Sequence, residues 1–380
     1  MTADKKNSTP IAFFIIDYTA SGGVEKVTAD LMQGFADKGF TNLHLLSLQP
    51  SKEIPTMNFP VKFYAKNNLG KKENFEKNLT NYLKNNKIEF LIFQGDNISI
   101  SLKILQVCNA IKVQAYPQYH GSPFAYLKKY SDAERKNWDK KIVAALQFPF
   151  KKAKLKRYIS NSKNGIFCVS EGSANELKKI FPSLADKVKV RRNPINFNFP
   201  GLEKKQKIVS FLSRMENRHK NAFLSVKAWQ KIHRNFPDWS LHLAGEGALL
   251  KKMKQFAAEQ NIENIVFHGF LQNPENLLAK SAISISCSNC EGYSMSIAEA
   301  IVHRNAIAAT KSDGGIQDML IDGQTALLSP KNDAEGLAEN IARLIQDSDL
   351  RSQVAEAALE NLKQQMPTDV PALWINEFFG

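Results

Sequence analysis

The chain has 380 residues, 43% of them apolar and 23% charged, with a formal net charge of +14. This length and balance suit two soluble domains with sizeable cores, and exclude a small scaffold that depends on disulfides or a structural metal. The four cysteines (108, 168, 287 and 290) are too sparse for a secreted framework and suit a reducing compartment; the polar first ten residues and the lack of a long apolar run predict neither a signal peptide nor a membrane span.

In chain order, "IAFFIID" (11–17) reads as a buried strand, "SGG" (21–23) as a turn, and 24–39 as an amphipathic helix. Val24, Val27, Leu31 and Phe35 share that helix's apolar face, and Gly39 closes it. Strands follow at 42–48, 88–95 and 165–170, with a weaker candidate at 112–121 broken by Pro117. A Ser173–Glu176 capping box predicts a helix over 172–181, and the polar stretch 187–207 reads as a linker. A second strand–helix series begins at 208, with strands at 239–247, 265–270, 282–288 and 305–310 and a long helix at 333–346. The class is therefore α/β: two Rossmann-like βα domains facing across a cleft, with the ligand site at the carboxyl ends of the strands. The expected domains are 1–195 and 196–365, with the helix at 366–380 crossing back to the first.

Between Phe124 and Asn164 lie twelve Lys or Arg and three acidic residues. Such a segment fits a solvated helix face or an anionic membrane surface. Nucleic acid is disfavoured, because no platform of interleaved aromatics and arginines is present.

Several groups have the makings of a site. Gly22 and Gly23 open the first helix, as a plain turn or an anion loop. In "SRMENRHK" (213–220), Arg214 and Lys220 follow a strand and are either loop cations or a grip on a diphosphate. His120 sits in a loop after a strand. In "CEGYSMSIAEA" (290–300), Glu291 and Glu299 flank a turn at Ser294, Met295 and Ser296 whose amides can face a phosphate. The alternative there is a Ser296–Glu299 capping box, with Glu299 turned away from any ligand. Cys287 and Cys290 form a lone C-x-x-C read as packing thiols. Asp347 and Asp349 form a D-x-D read as a helix junction, so no metal site is expected.

These pieces, in this order, resemble the retaining glycosyltransferases of family 4, which have the GT-B fold. The match rests on the E-x7-E of Glu291 and Glu299, the Arg-x5-Lys of Arg214 and Lys220, Gly22–Gly23, the Asn193–Pro194 turn and "GGIQDML" (314–320). The resemblance implies that Arg214 and Lys220 hold a donor diphosphate, Glu299 the ribose, and Glu291 the transferred sugar. It implies a role for His120 near the sugar and acceptor, and for Gly22 and Gly23 near phosphate or acceptor. Ser294 and Ser296 stand where the family often has glycine and proline. The expectation is a cytoplasmic hexosyl- or N-acetylhexosaminyltransferase, peripheral to the membrane if the basic segment touches it. It would use a nucleotide sugar, probable base uracil by family habit, and no cofactor or metal. Its acceptor would be a glycan or lipid-linked glycan, with nucleic acid not expected as a partner. Two alternatives stay open: a basic binding protein with a non-catalytic nucleotide site, and a GT-B epimerase.

Overall fold

The computed structural model describes residues 6–18, 23–48, 57, 61–64, 74–95, 97–128, 138–197 and 204–380. The chain divides into two compact units. One comprises Met1–Gly121, Ala145–Pro194 and Pro367–Gly380; the other comprises Ser122–Ala144 and Ile195–Met366.

The first unit starts with β1 (Ile11–Ile15), α1 (Gly23–Asp37), β2 (Leu43–Ser47) and β3 (Val61–Tyr64). It continues with α2 (Phe75–Asn85), β4 (Phe90–Gln94), α3 (Ile98–Ile111) and β5 (Gln114–Tyr119). After α4 (Pro123–Lys128), which clusters with the second unit, come α5 (Trp138–Asn161), β6 (Ile166–Cys168), α6 (Glu171–Ile180) and β7 (Val188–Val190). The strands form one parallel sheet in the order β3-β2-β1-β4-β5-β6-β7. Every residue of β1, β2 and β4 is buried, as expected of a parallel sheet covered on both faces.

Three local expectations need correction. Pro117 does not break its strand: β5 runs through it. Gln114 and Gln118 bond the β4 side, which turns Pro117 toward β6, and pairing with β6 begins only at Gln118. The missing N–H therefore costs no ladder bond. The cap of α6 is Ser170, whose side chain accepts from the Ser173 N–H, so the Ser173–Glu176 box does not form the helix start. Part of the expected linker is structure: β7 pairs with β6, and β8 begins at Gln206.

The second unit contains β8 (Gln206–Leu212), α7 (Phe223–Ile232), β9 (Ser240–Ala244), α8 (Leu250–Glu259) and β10 (Ile265–Gly269). Then follow α9 (Glu275–Lys280), β11 (Ser281–Ser286), β12 (Cys290–Glu291), α10 (Met295–Val302), β13 (Ala306–Thr310) and β14 (Asp313–Gly314). The unit closes with α11 (Ile316–Met319), β15 (Leu327–Ser329), α12 (Ala334–Gln346) and α13 (Ser348–Gln365). Its parallel sheet has the order β10-β9-β8-β11-β13-β15, and β12 pairs with β14 beside it. The chain's direction of travel reverses between β8 and β11. In an open α/β sheet, that reversal leaves a crevice beyond the strands' carboxyl ends.

The last helix, α14 (Val370–Phe379), belongs to the first unit. Trp374 is fully buried and Phe378 nearly so, in a cluster with Phe35, Phe90, Tyr116 and Phe167. Phe378 stacks on Phe90 at 4.6 Å between centroids.

Candidate functional site

The loop after β8 carries the candidate cations. Glu216 organises it: the carboxylate accepts the backbone N–H groups of Arg218 at 2.8 Å, His219 at 3.1 Å and Lys220 at 3.0 Å. A single carboxylate thus holds three successive donors and fixes where Lys220 leaves the backbone. Arg214 is exposed, and among the described residues nothing bonds its side chain. The loop packs on "GEG" (245–247). Gly245 has φ +133°, and a β-carbon there would overlap the Ser213 carbonyl oxygen.

The loop after β11 meets it. Lys220 Nζ lies 2.6 Å from Glu291 Oε1, which also accepts from Ser288 Oγ at 2.6 Å. The Asn289 N–H donates to the His219 carbonyl at 2.7 Å, and its side-chain amide donates to the carbonyls of Asn217 and Arg218. Glu291 is buried and stands in β12 opposite Gly314, whose neighbour Gly315 donates its N–H to the Glu291 carbonyl. Gly314 has φ +92°, and a β-carbon there would overlap the same carbonyl oxygen.

The electrostatics of this corner are set first by burial and then by its charges. Burial lowers the pKa of His219, Glu216 opposes this, and Arg218, Arg214 and Lys220 reinforce it. His219 Nδ1 is 3.2 Å from Cys290 Sγ. The Cys290 thiol is pushed up to about 12, first by burial and then by Glu291. The pair is therefore a neutral imidazole beside a protonated thiol, not a thiolate–imidazolium nucleophile. All four cysteines are free.

Helix α10 begins one turn beyond Glu291. Its N-cap is Ser294, with extended backbone and no side-chain capping bond. Ser296 already lies within the helix, so the Ser296–Glu299 capping box is not formed. Glu299 is half-buried one turn further on. Ser294 is buried, with Oγ 3.4 Å from Ser296 Oγ.

In the first unit, His120 follows β5, and its Nε2 faces Gln94 Oε1 at the end of β4. Burial depresses the pKa of His120 to about 3, so the ring is neutral. The neighbouring Gln118 is fully buried and donates to the Arg191 carbonyl and to Asn193 Oδ1, both at 3.3 Å. Gly23 is the first residue of α1, whereas Gly22 lies outside the described residues. Asp347 caps α13, accepting from the N–H groups of Asp349 and Leu350. Among the described residues, no group of three or more His, Cys, Asp or Glu is placed to hold a metal.

The structure thus joins Lys220 directly to Glu291, sets Arg214 on the same loop as Lys220, and places Ser294, Met295, Ser296 and Glu299 on the element after Glu291. His120 and Gly23 belong to the other unit. Sequence reasoning missed Glu216 and Ser288. For Glu216 the signal was a carboxylate two to four residues before three loop amides, a spacing that lets a side chain fold onto them.

Two Rossmann-like units in one chain define the GT-B fold, and the solved structures agree. The Anabaena Alr3699/HepE structure in complex with UDP-glucose superposes with a TM-score of 0.72 over 97% of this chain and 98% of that one, at 15% identity. The family described as "Glycosyl transferases group 1" matches residues 192–361, within which the Lys220–Glu291 corner falls. A poly(ribitol-phosphate) alpha-N-acetylglucosaminyltransferase of Staphylococcus aureus is 23% identical over 239 residues, covering 60% of this chain. The chain spans about half of that relative's length, 47%. An uncharacterized glycosyltransferase of Haemophilus influenzae is 22% identical over 364 residues, 91% of this chain and 93% of its own. The chain has the GT-B fold and is related to glycosyltransferases.

Proposed function

We propose that this protein is a retaining glycosyltransferase that moves a hexose or N-acetylhexosamine from a UDP-sugar to a glycan or lipid-linked glycan during surface polysaccharide or lipopolysaccharide synthesis. The observation that carries the reading is the Lys220–Glu291 pair, with Arg214 beside it, on the loops after β8 and β11 at the reversal of strand order.

Arg214 and Lys220 are assigned to the donor diphosphate. Breaking the glycosidic bond leaves negative charge on the departing diphosphate, and these two cations stabilise it as it forms. The amides of Ser294, Met295 and Ser296 at the start of α10 add positive potential on the same side. Glu299 is assigned to the ribose hydroxyls and Glu291 to hydroxyls of the transferred sugar. With Ser288 holding one oxygen once Lys220 turns to the diphosphate, Glu291 keeps its other oxygen for a sugar hydroxyl. His120 is assigned to the sugar and acceptor side as a neutral hydrogen-bonding group. Gly22 and Gly23 are assigned to backbone approach to phosphate or acceptor. The leaving phosphate accepts the acceptor's proton, so transfer takes place on one face and needs neither a carboxylate nucleophile nor a metal. The site of action is cytoplasmic, at the inner face of the cell membrane when the acceptor is lipid-linked.

The test is a panel of nucleotide sugars, read as saturable binding and slow donor hydrolysis by the folded protein, with and without a chelator. Binding of a UDP-sugar and release of an α-configured sugar, unaffected by chelation, is expected. Failure of every donor to bind defeats the reading.

A further inference from the structure

Seven large apolar side chains are exposed among the described residues, and four of them lie on one helix: Ile142, Leu146, Phe148 and Phe150 of α5. Leu146 is 65% exposed and Phe150 77%. Ile142, Leu146 and Phe150 are four residues apart, so they follow one stripe of the helix. Seven residues on, the stripe passes from Pro149 and Phe150 to Lys156 and Arg157, both exposed. Leu155, Tyr158 and Ile159 lie on the opposite side and are fully buried. The outward face of α5 is thus apolar in its first half and basic in its second. No acidic residue occurs between 142 and 164.

We propose that this face docks the protein on an anionic phospholipid bilayer, with Leu146 and Phe150 entering the headgroup–acyl boundary and Lys156 and Arg157 meeting the lipid phosphates. The pattern discriminates among occupants. A second copy joined by a two-fold axis could cover the apolar half but would offer the cations no acidic partner, since the same face carries no Asp or Glu between 142 and 164. A nucleic-acid backbone would satisfy the cations but leave the phenylalanine half uncovered. An anionic bilayer satisfies both halves at once. No helix among the described residues is long and apolar enough to cross the membrane, so the contact is with its surface. The proposal does not depend on the donor reading above, because the residues involved take no part in that site.

The experiment is co-sedimentation of the full chain with vesicles of phosphatidylcholine alone, or of phosphatidylcholine with about one-third phosphatidylglycerol, across a salt series. Wild-type protein should be retained by the anionic vesicles and released by salt. Leu146→Ser with Phe150→Ser should weaken retention about tenfold. Lys156→Gln with Arg157→Gln should weaken it about tenfold and flatten the salt dependence. Circular dichroism and urea denaturation unchanged from wild type show that either variant is folded. Equal retention by neutral vesicles, or retention unchanged in either variant, overturns the proposal. So does a dimer or a duplex-DNA complex that requires these residues in a protein that no vesicle retains.

Discussion

Lys220 and Glu291, 71 residues apart, form an ion pair of 2.6 Å that ties the loop after β8 to the loop after β11. Lys220 is the group assigned to the donor diphosphate, so in the unliganded protein its charge is held by the carboxylate assigned to the sugar. Donor binding therefore exchanges one anionic partner for another. Lys220→Met should lower UDP affinity by roughly 10–100-fold, the loss expected for one charge-assisted contact in a half-buried site. It should also cost about 1–3 kcal/mol of stability, because Glu291 is left with Ser288 alone. Calorimetric UDP titration and urea denaturation measure the two effects. Glu291→Gln separates the roles: UDP affinity should hold or rise as Lys220 is released, while sugar transfer falls.

Glu216 makes the second prediction. Its carboxylate caps three consecutive amides, yet it is not assigned any ligand contact. Glu216→Ala frees those amides and lets residues 217–220 move. UDP affinity should fall by about 5–30-fold with a melting temperature lowered by only a few degrees, as for loss of a partly exposed cap. Glu216→Gln retains one acceptor oxygen and should recover part of the affinity. A Glu216→Ala protein that binds UDP like wild type would show that the loop's order does not matter to the site.

The parallel sheets were legible because period and length signal them directly: "IAFFI" is continuous apolar sequence and is buried throughout. Arg214, Lys220, Glu291 and Glu299 were singled out because they follow strands, but the pairing of Lys220 with Glu291 was not legible, since nothing in the sequence marks a contact 71 residues apart. Helix starts were not legible either, because several hydroxyl residues competed for each cap. At α6 the choice between Ser170 and Ser173 is decided by the preceding strand, which ends at Cys168. At α10, Ser294 takes the cap because Glu291 is drawn into pairing with β14, a contact between segments distant in sequence. Glu216 and Ser288 were missed for a related reason. Their importance lies in which loop atoms they bond: the spacing of Glu216 permits its fold onto the next amides without requiring it, and nothing in that of Ser288 marks Glu291 as its partner.

Gly314 makes the third prediction. At φ +92°, any L side chain is strained, and a β-carbon would meet the Glu291 carbonyl. Gly314→Ala must either move β12 or shift the backbone at 314. A destabilisation of about 1–3 kcal/mol is expected for an alanine forced into this region. Because the displaced residue is Glu291, sugar transfer should fall further than UDP binding. Equal losses in both would mean that the whole unit, rather than β12, had moved.

Acid should destabilise the first unit. His44 is fully buried between Tyr82 Oη at 2.9 Å and Asn42 Oδ1 at 3.0 Å, and burial, with Lys62, lowers its pKa to about 4. His120 is depressed to about 3 by burial. Both rings bind a proton less readily folded than unfolded, so protons favour the unfolded chain. The penalty is absent above the unfolded value of about 6.5, and it grows as pH falls, levelling off only near the folded values. Between pH 7.5 and 5 the two should together remove about 2–4 kcal/mol, in roughly equal shares. Urea denaturation at the two pH values reads this loss, and His44→Gln should roughly halve it. The same depression keeps His120 neutral, so transfer should show no inflection from this ring between pH 5 and 8. Stability that stays flat to pH 5 would contradict the burial argument for both rings.

The C-terminal helix makes the last prediction. Helix α14 reaches the first unit's core after the whole second unit has been threaded, so the first unit is closed by residues from both ends of the chain. Its hold is mainly apolar: Trp374 packs against Phe167 at 4.7 Å and Phe378 against Phe90 and Tyr116. Ions add less at this half-buried rim, where Glu377 accepts from Lys189 and from Arg191 at 3.0 Å. Trp374→Ala should therefore cost about 3–5 kcal/mol, the range for emptying a buried indole site, whereas Glu377→Gln, which keeps one acceptor oxygen, should cost about 1–2 kcal/mol. Truncation before Pro367 removes the entire apolar contribution, and the first unit should lose its cooperative transition while the second keeps its own. Calorimetry of the intact and truncated chains resolves the two. A truncated chain that still melts with both transitions would mean that α14 only decorates a core complete without it.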